Sequence, residues 1–258
     1  MNLKNKTPIS VAIITMNEAD RLPSCLKSAK FADEIIVVDS GSSDKSIEIA
    51  KSFDARVYER EWRGFSAQKQ FAVEQCRNRW VFILDADESI PGNDIEVIED
   101  AIAAGDKAIT AYSFRRKNFF HGKWIRRCGW WPDRIVRLVD KEKGRFDGRN
   151  VHEGWLTHGK VMHLDSYIEH RSFRNYSEFT AKMDRYSTLA ARDLFHKGAG
   201  SAPFTPALHG FWMFLRTYIL EMGILEGFDG FMISIMNAGG SFMKYAKLRE
   251  MWIKKSYL

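Results

Sequence analysis

Asp85, Asp87 and Glu88 place three carboxylates within four residues, directly after the apolar run Val81-Phe82-Ile83-Leu84. Close carboxylates repel unless a cation or a proton lies between them. Oxygen-only ligands of this kind suit a hard divalent ion, Mg²⁺ or Mn²⁺. In a strictly extended chain Asp85 and Asp87, two positions apart, would share a face. A solvated acidic turn is the plain alternative, because an isolated Asp-x-Asp is common. The elements around the cluster have to decide between the two.

Val81 to Leu84 is short, apolar and bounded by charge, which predicts a buried strand. Two earlier runs have the same form. Ile9 to Ile14 leads into the polar stretch Thr15 to Asp20, and Glu34 to Val38 ends at Asp39. Helices are expected around Leu22, Leu26 and Ala29, over Lys45 to Phe53 and over Gln68 to Cys76, with a short strand at Ala55 to Tyr58. Strands alternating with helices at this spacing predict right-handed βαβ crossovers and an α/β fold with a mostly parallel central sheet. In such a sheet Thr15–Glu18, Asp39–Asp44 and Asp85–Glu88 emerge on one edge, where ligands bind. Carboxylates there could meet ribose hydroxyls or a base edge, with a metal for a diphosphate. Asp44 or Ser43 could instead cap the helix that follows, and Glu18 could be an ordinary helix-start acid.

The chain has 258 residues, enough for one large domain or a domain with an appendage, and a net charge of +6. That charge favours anionic partners. Three scattered cysteines form neither a disulfide framework nor a zinc motif. The polar N-terminus lacks an apolar core of signal-peptide length, so a cytoplasmic location is expected. The first strand–helix loop is neither GxGxxG nor GxxxxGK[ST], which removes most of the case for a dinucleotide dehydrogenase or a P-loop enzyme. A sugar-phosphate nucleotidyltransferase should carry a Gly-rich loop there, and Thr15 to Asp20 has no glycine. A non-catalytic membrane-surface protein is the third class to weigh.

SVAIITMNE (ending at Glu18), DSGSSD (39–44) and LDADE (84–88) resemble the nucleotide-sugar-binding half of family 2 glycosyltransferases with the GT-A fold. FDGRNVHE (146–153) and GGSFMKYAKLRE (239–250) resemble the bacterial lipopolysaccharide-core β-glucosyltransferase subfamily. The resemblance implies a UDP-sugar donor. Thr15, Asn17 and Glu18 would line the uridine pocket, Asp39 would bind the base, Asp85 the ribose and Asp87 the metal, with Glu88 supporting the turn or the acceptor side. His170 resembles the histidine that gives a late metal contact in GT-A enzymes. Glu153 is the candidate general base, since an inverting transfer needs a carboxylate to take the acceptor's proton. His152 and His163 are weaker candidates. Lys69, near a helix start, is a candidate phosphate contact. Arg134 and Arg137 resemble part of the QxxRW motif of processive members, but its Gln and Trp are absent, which argues against polymer synthesis. Either arginine could meet diphosphate or acceptor.

Residues 115–131 interleave seven Lys, Arg and His residues with Phe119, Phe120, Trp124, Trp130 and Trp131. Nucleic-acid binding, an acceptor loop for an anionic glycolipid, and a hydrophobic insertion with a basic rim all fit. Beside a donor site the acceptor loop is the favoured reading, with Trp131 as a sugar-stacking candidate and no nucleic acid. Leu208 to Leu225 and Phe228 to Ile235 are apolar, but Arg216 and Glu221 interrupt the first run. Amphipathic helices on a membrane surface, helped by Lys244, Lys247, Arg249, Lys254 and Lys255, are expected. A core or dimer helix pair is the alternative, so a homo-oligomer stays open. The expected domains are 1–200 for the transferase (1–110 donor half, 111–200 acceptor half) and 201–258 for the helical appendage. The expected activity is transfer of a hexose, glucose from UDP-glucose, onto an anionic glycolipid of the lipopolysaccharide core, at the inner face of a bacterial inner membrane.

Overall fold

A computed structural model describes residues 7–148 and 153–256. They fall into two compact units, one of residues up to Arg116 with Asp133–His170, the other of Lys117–Pro132 with Arg171 onward.

The first unit is built on parallel strands, the inner ones buried on both faces and the edge strand partly exposed. β1 (Ile9–Thr15), β2 (Glu34–Asp39), β3 (Arg56–Glu59) and β4 (Trp80–Asp85) lie side by side in the order β3-β2-β1-β4, all parallel. Val11, Ile13, Val37, Phe82 and Leu84 face α1 (Leu22–Ser28), packing with Leu22 and Leu26. Their neighbours Ala12, Ile14, Val38, Val81 and Ile83 face the other way, onto Ala72 and Val73 of α3 (Phe65–Gln75). This period-two division of one apolar run between two cores is why β1, β2 and β4 read as continuous rather than alternating. α2 (Ser46–Ser52) completes the second crossover.

Beyond β4 the sheet continues antiparallel. After β5 (Glu88–Ser89) and α4 (Asp94–Ala103) come β6 (Ile109–Phe120), β7 (Lys123–Trp124), β8 (Asp133–Asp140), β9 (Gly144–Phe146), β10 (Trp155–Thr157) and β11 (Lys160–Phe173). β8 pairs with β4, β6 with β8, and β5 with β11, while β9 and β10 form a separate two-stranded ribbon. The parallel half is thus the half that was expected, and the antiparallel half is added to it. β6 runs on to Phe120, so the basic, aromatic stretch begins as β-strand rather than as a loop.

In the second unit α5 (Tyr176–His196) starts at Asn175, whose side chain accepts from the Glu178 N–H at 2.9 Å. α6 (Thr205–Leu215) runs into a π-helical turn (Arg216–Leu220) and a 3₁₀ turn (Gly223–Glu226), and α7 (Phe228–Ser256) returns. Gly210 lets α6 approach α7 closely, because a Cβ there would lie 3.2 Å from the Phe242 Cβ. Gly240 does the same for α5, since its Cβ would lie 3.0 Å from Met183 Cγ. The paired glycines of GGSFMKYAKLRE are therefore helix-packing residues. The boundary expected at 200/201 falls inside this unit, between α5 and α6. No helix among the described residues is long and apolar enough to cross a membrane.

Candidate active site

Parallel register brings the strand ends together, as the sequence reading required. Thr15 pairs with Asp39, and Ile14 pairs with Asp85. The loops that follow are tied by their own polar side chains. Asn17, in the left-handed region at φ 57°, receives the Ser43 N–H on Oδ1 at 2.8 Å, and its own N–H meets Ser42 Oγ. Asp44 receives the Ala19 N–H at 3.0 Å and Ser46 caps the Glu18 N–H at 2.9 Å. Glu18 pairs with Arg21 through both oxygens. Asp39 is wholly buried and accepts the N–H groups of Gly41 and Ser42 at 2.9 and 2.7 Å. Asp39 therefore braces the loop around Gly41, and Asp44 ties the loop after β1 to the start of α2.

A buried hydroxyl at this edge lacks an internal partner. The Thr15 hydroxyl is buried and has no hydrogen-bond partner among the described residues. Leaving it so costs about 1–3 kcal/mol, which a bound polar ligand would recover. Beside the loop, Ser40, Gly41, Glu59, Arg60, Glu61 and Trp62 line an open depression of about 560 Å³. Trp62 and Arg60 were missed in the sequence. The available signal was a tryptophan just past the short strand at 55–58, where the chain reaches the same sheet edge.

At the end of β4 the two aspartates separate. The strand stops at Asp85, whose N–H is held by Glu88 Oε2 at 3.1 Å, and Ala86 and Asp87 form a turn. Asp85 and Asp87 therefore do not share a face, because the extended geometry assumed for them ends with the first. Asp85 lies between two buried cations, with Lys69 Nζ 2.8 Å from Oδ1 and the Arg137 guanidinium 2.6 Å from Oδ2. Burial opposes ionisation of Asp85, but the charges of Lys69 and Arg137 outweigh it and hold the carboxyl well below the usual carboxylate range. Its charge is met from within the protein, so it needs no metal.

The same geometry engages two of the candidate cations. Arg137 is 2% exposed and bridges Asp85 to Glu88, 2.6 Å from each. Burial disfavours its charge, yet Glu88 and Asp85 keep its pKa above the ordinary arginine value. It is a fixed internal counter-ion, with no exposed surface to offer an acceptor. Lys69 is likewise 2% exposed, and its ammonium joins Asp85 to Glu153 Oε1 at 2.7 Å. It is engaged by two carboxylates rather than solvated. Arg134 is exposed on β8. Arg116 extends the buried network, 3.4 Å from Glu88 and 2.7 Å from Asp133.

Asp87 has a different neighbour. β11 pairs with β5 so that His170 lies opposite Glu88, which sets His170 Nε2 3.3 Å from Asp87 Oδ2. Two adjacent ligands of an octahedral ion with bonds near ~2.1 Å are about 3 Å apart, so the pair fits a shared Mg²⁺ or Mn²⁺. No group of three candidate ligands occurs among the described residues, so water or substrate oxygens would complete the shell. Glu153 is partly buried and His163 instead meets the Ser113 hydroxyl. His152 lies outside the described residues, and Trp131 belongs to the second unit, edge-on to Trp124 at 5.1 Å. Cys25 donates to the Asp85 carbonyl at 3.6 Å. Burial, with Glu88, Asp87 and Asp85 nearby, holds its thiol well above the usual value, which removes it as a nucleophile.

These features agree with what the chain is similar to. Residues 10–164 match the family described as Glycosyl transferase family 2. An uncharacterized glycosyltransferase of Rickettsia typhi is 32% identical over 257 residues, 95% of this chain and 88% of that protein. The lipopolysaccharide core biosynthesis glycosyltransferase LpsC of Rhizobium meliloti is 32% identical over 262 residues, 95% of this chain and 93% of LpsC. The mannosyltransferase PcManGT from Pyrobaculum calidifontis, solved with GDP-Man and Mn²⁺, shares the fold at a TM-score of 0.55 and 16% identity, over 97% of this chain and 89% of that one. The chain has the GT-A fold and belongs to glycosyl transferase family 2.

Proposed function

We propose that the protein is an inverting hexosyltransferase that moves glucose from UDP-glucose to an anionic glycolipid of the lipopolysaccharide core, at the inner face of a bacterial inner membrane. The observation that carries the reading is the convergence at the end of β4 of an Asp87–His170 pair, 3.3 Å apart, and a Lys69–Glu153 pair, 2.7 Å apart. The first pair suits a metal and the second a base. The likeness to LpsC supports the acceptor class. Thr15, with its unpaired hydroxyl, and the loop braced by Asn17, Glu18 and Asp39 would hold the nucleoside, and Asp85 would face the ribose.

A divalent cation held by Asp87 and His170 would supply Lewis-acid stabilisation to the departing diphosphate. Glu153 takes the proton from the acceptor hydroxyl as that oxygen attacks the anomeric carbon opposite the leaving group. Lys69 holds Glu153 Oε1 at 2.7 Å, which restrains the carboxylate and leaves its second oxygen for the acceptor proton. Arg137 and Glu88 hold Asp85 and the turn rigid, which positions Asp87 without touching substrate.

The test is a donor panel, including UDP-glucose, UDP-galactose and GDP-mannose, against deep-rough lipopolysaccharide acceptors with Mn²⁺. Products are read by mass spectrometry, and the new anomeric configuration by NMR. A hexose added with inversion from UDP-glucose is expected. Retention, or transfer from GDP-mannose alone, would overturn the proposal.

A further inference from the structure

The segment joining α6 to α7, with the first residue of α7, exposes six large apolar side chains beside the Arg216–Glu221 ion pair. Ile219, Leu220, Met222, Ile224, Leu225 and Phe228 are all exposed, Leu220, Leu225 and Phe228 by 63, 65 and 69%. The patch continues onto α6 through Leu208, Phe211 and Trp212. An exposed turn tolerates polar residues at every one of these positions, so a set this apolar, broken at the surface only by Glu221 and Gly227 between Ile219 and Phe228, marks a contact surface.

The backbone beneath is firmly held. Thr217, Gly223, Glu226 and Ser234 are buried. A Cβ at Gly223 would lie 2.8 Å from the Thr217 carbonyl and 2.9 Å from Cys128 Sγ. Glu226 accepts the Arg126 N–H at 2.9 Å and pairs with Lys123 at 2.7 Å, and the Glu221 carbonyl takes the Cys128 N–H at 3.0 Å. Met222 sits in the left-handed region at φ 54°, where glycine or asparagine would be less strained, yet the position carries an exposed thioether. The tip is thus a preformed wedge rather than a slack loop.

Charge selects the occupant. The segment pinned against the wedge carries Arg126 and Arg127, both exposed, with the Arg126 guanidinium 4.3 Å over the Trp124 ring. The nearby acids are already engaged: Glu226 by Lys123, Glu221 by Arg216, and Asp229 by His121. A second copy of this surface would bring like charges together, whereas an anionic lipid headgroup layer would meet them. The basic tail expected to do this is partly spent internally. Lys247 bonds Asp184 Oδ1 at 2.6 Å, Arg249 meets the Ser201 carbonyl at 3.2 Å, and Lys254 pairs with Glu250 at 2.6 Å.

We infer that the 219–228 tip inserts into the headgroup–acyl boundary of an anionic bilayer, with Arg126 and Arg127 on the phosphates. The inference deepens the proposed function by naming the element that meets the membrane; it rests on that reading only for its purpose. The test uses the full chain, without donor or acceptor, and phosphatidylcholine vesicles with or without roughly 30% phosphatidylglycerol. Binding to the anionic vesicles should be at least about tenfold tighter and should weaken with salt. L220D/L225D should lose about tenfold or more in binding while keeping its melting temperature, and R126E/R127E should lose the preference for anionic vesicles. Undiminished binding by L220D/L225D overturns the inference. So does a lipid-free dimer that this variant dissociates, which would assign the surface to a second copy. Loss of hexosyl transfer with vesicle binding intact would instead count against the proposed function alone.

Discussion

Replacing Asp85 by asparagine tests the division of labour between the two aspartates of one short motif. Asp85 neutralises Lys69 at 2.8 Å and Arg137 at 2.6 Å, both 2% exposed. Removing one partner of a buried ion pair costs about 3–5 kcal/mol, because it leaves a desolvated charge unmatched. Here each cation keeps a second carboxylate, Glu153 for Lys69 and Glu88 for Arg137, and Asp85 itself is only partly buried. The expected loss is therefore smaller, about 2–3 kcal/mol, which in a chain of this size lowers the melting temperature by roughly 4–12 °C. Asp87→Asn should lose less, about 1 kcal/mol at most, since its imidazole neighbour carries charge only when protonated. Thermal unfolding followed by circular dichroism, with urea titration as a check, reads both. An Asp85→Asn protein that melts with the wild type would refute the counter-ion role and leave Asp85 available to a metal.

Three further outcomes follow from the same geometry. Lys69→Met should lower kcat by about 10–100-fold with little change in UDP affinity, because the ammonium positions Glu153 without touching nucleotide; an equal loss of UDP binding would return Lys69 to the donor contacts. His170→Ala should raise the Mn²⁺ concentration needed for half-maximal activity by about 10–100-fold, and an unchanged requirement would place the cation elsewhere. At Glu34, burial opposes ionisation, but the Ser10 hydroxyl and the backbone N–H and guanidinium of Arg77 lower the pKa. A depressed carboxylate contributes stability that is complete above its unfolded pKa, near ~4.3, and is lost as pH falls through the lower folded value. The gap in melting temperature between wild type and Glu34→Gln should therefore hold from neutral pH to about 5 and close below about 4, and a gap independent of pH would contradict it.

The parallel half of the sheet was legible because β1, β2 and β4 are apolar on both faces and each ends in a polar cluster. That pattern placed Thr15, Asp39 and Asp85 on one edge, and the registers confirm it. The roles of the charged residues were less visible. Lys69 and Arg137 reach Asp85 from α3 and β8, and nothing local distinguishes a buried counter-ion from a solvated lysine or arginine. Burial is a tertiary property, and it places both cations among carboxylates inside the fold. β11 escaped notice because Lys160 to Phe173 mixes polar residues into both faces, yet it brings His170 opposite Glu88. α5 did carry a signal, Asn175 three residues before Glu178, a helix start that was not read. The apolar tail was recognised as a surface element, but only the packed helices show that its exposed large apolar side chains gather at the turn between α6 and α7.

The measurement closest to the central claim is transfer by Glu153→Gln under donor and acceptor saturation, alongside UDP binding by calorimetry. The amide keeps the shape of the carboxylate but cannot take a proton. A positioned general base contributes about 10²–10⁴-fold, so kcat should fall by that order while UDP affinity stays near wild type. A Glu153→Gln enzyme turning over at the wild-type rate would place the base elsewhere and dissolve the link between Lys69, Glu153 and catalysis.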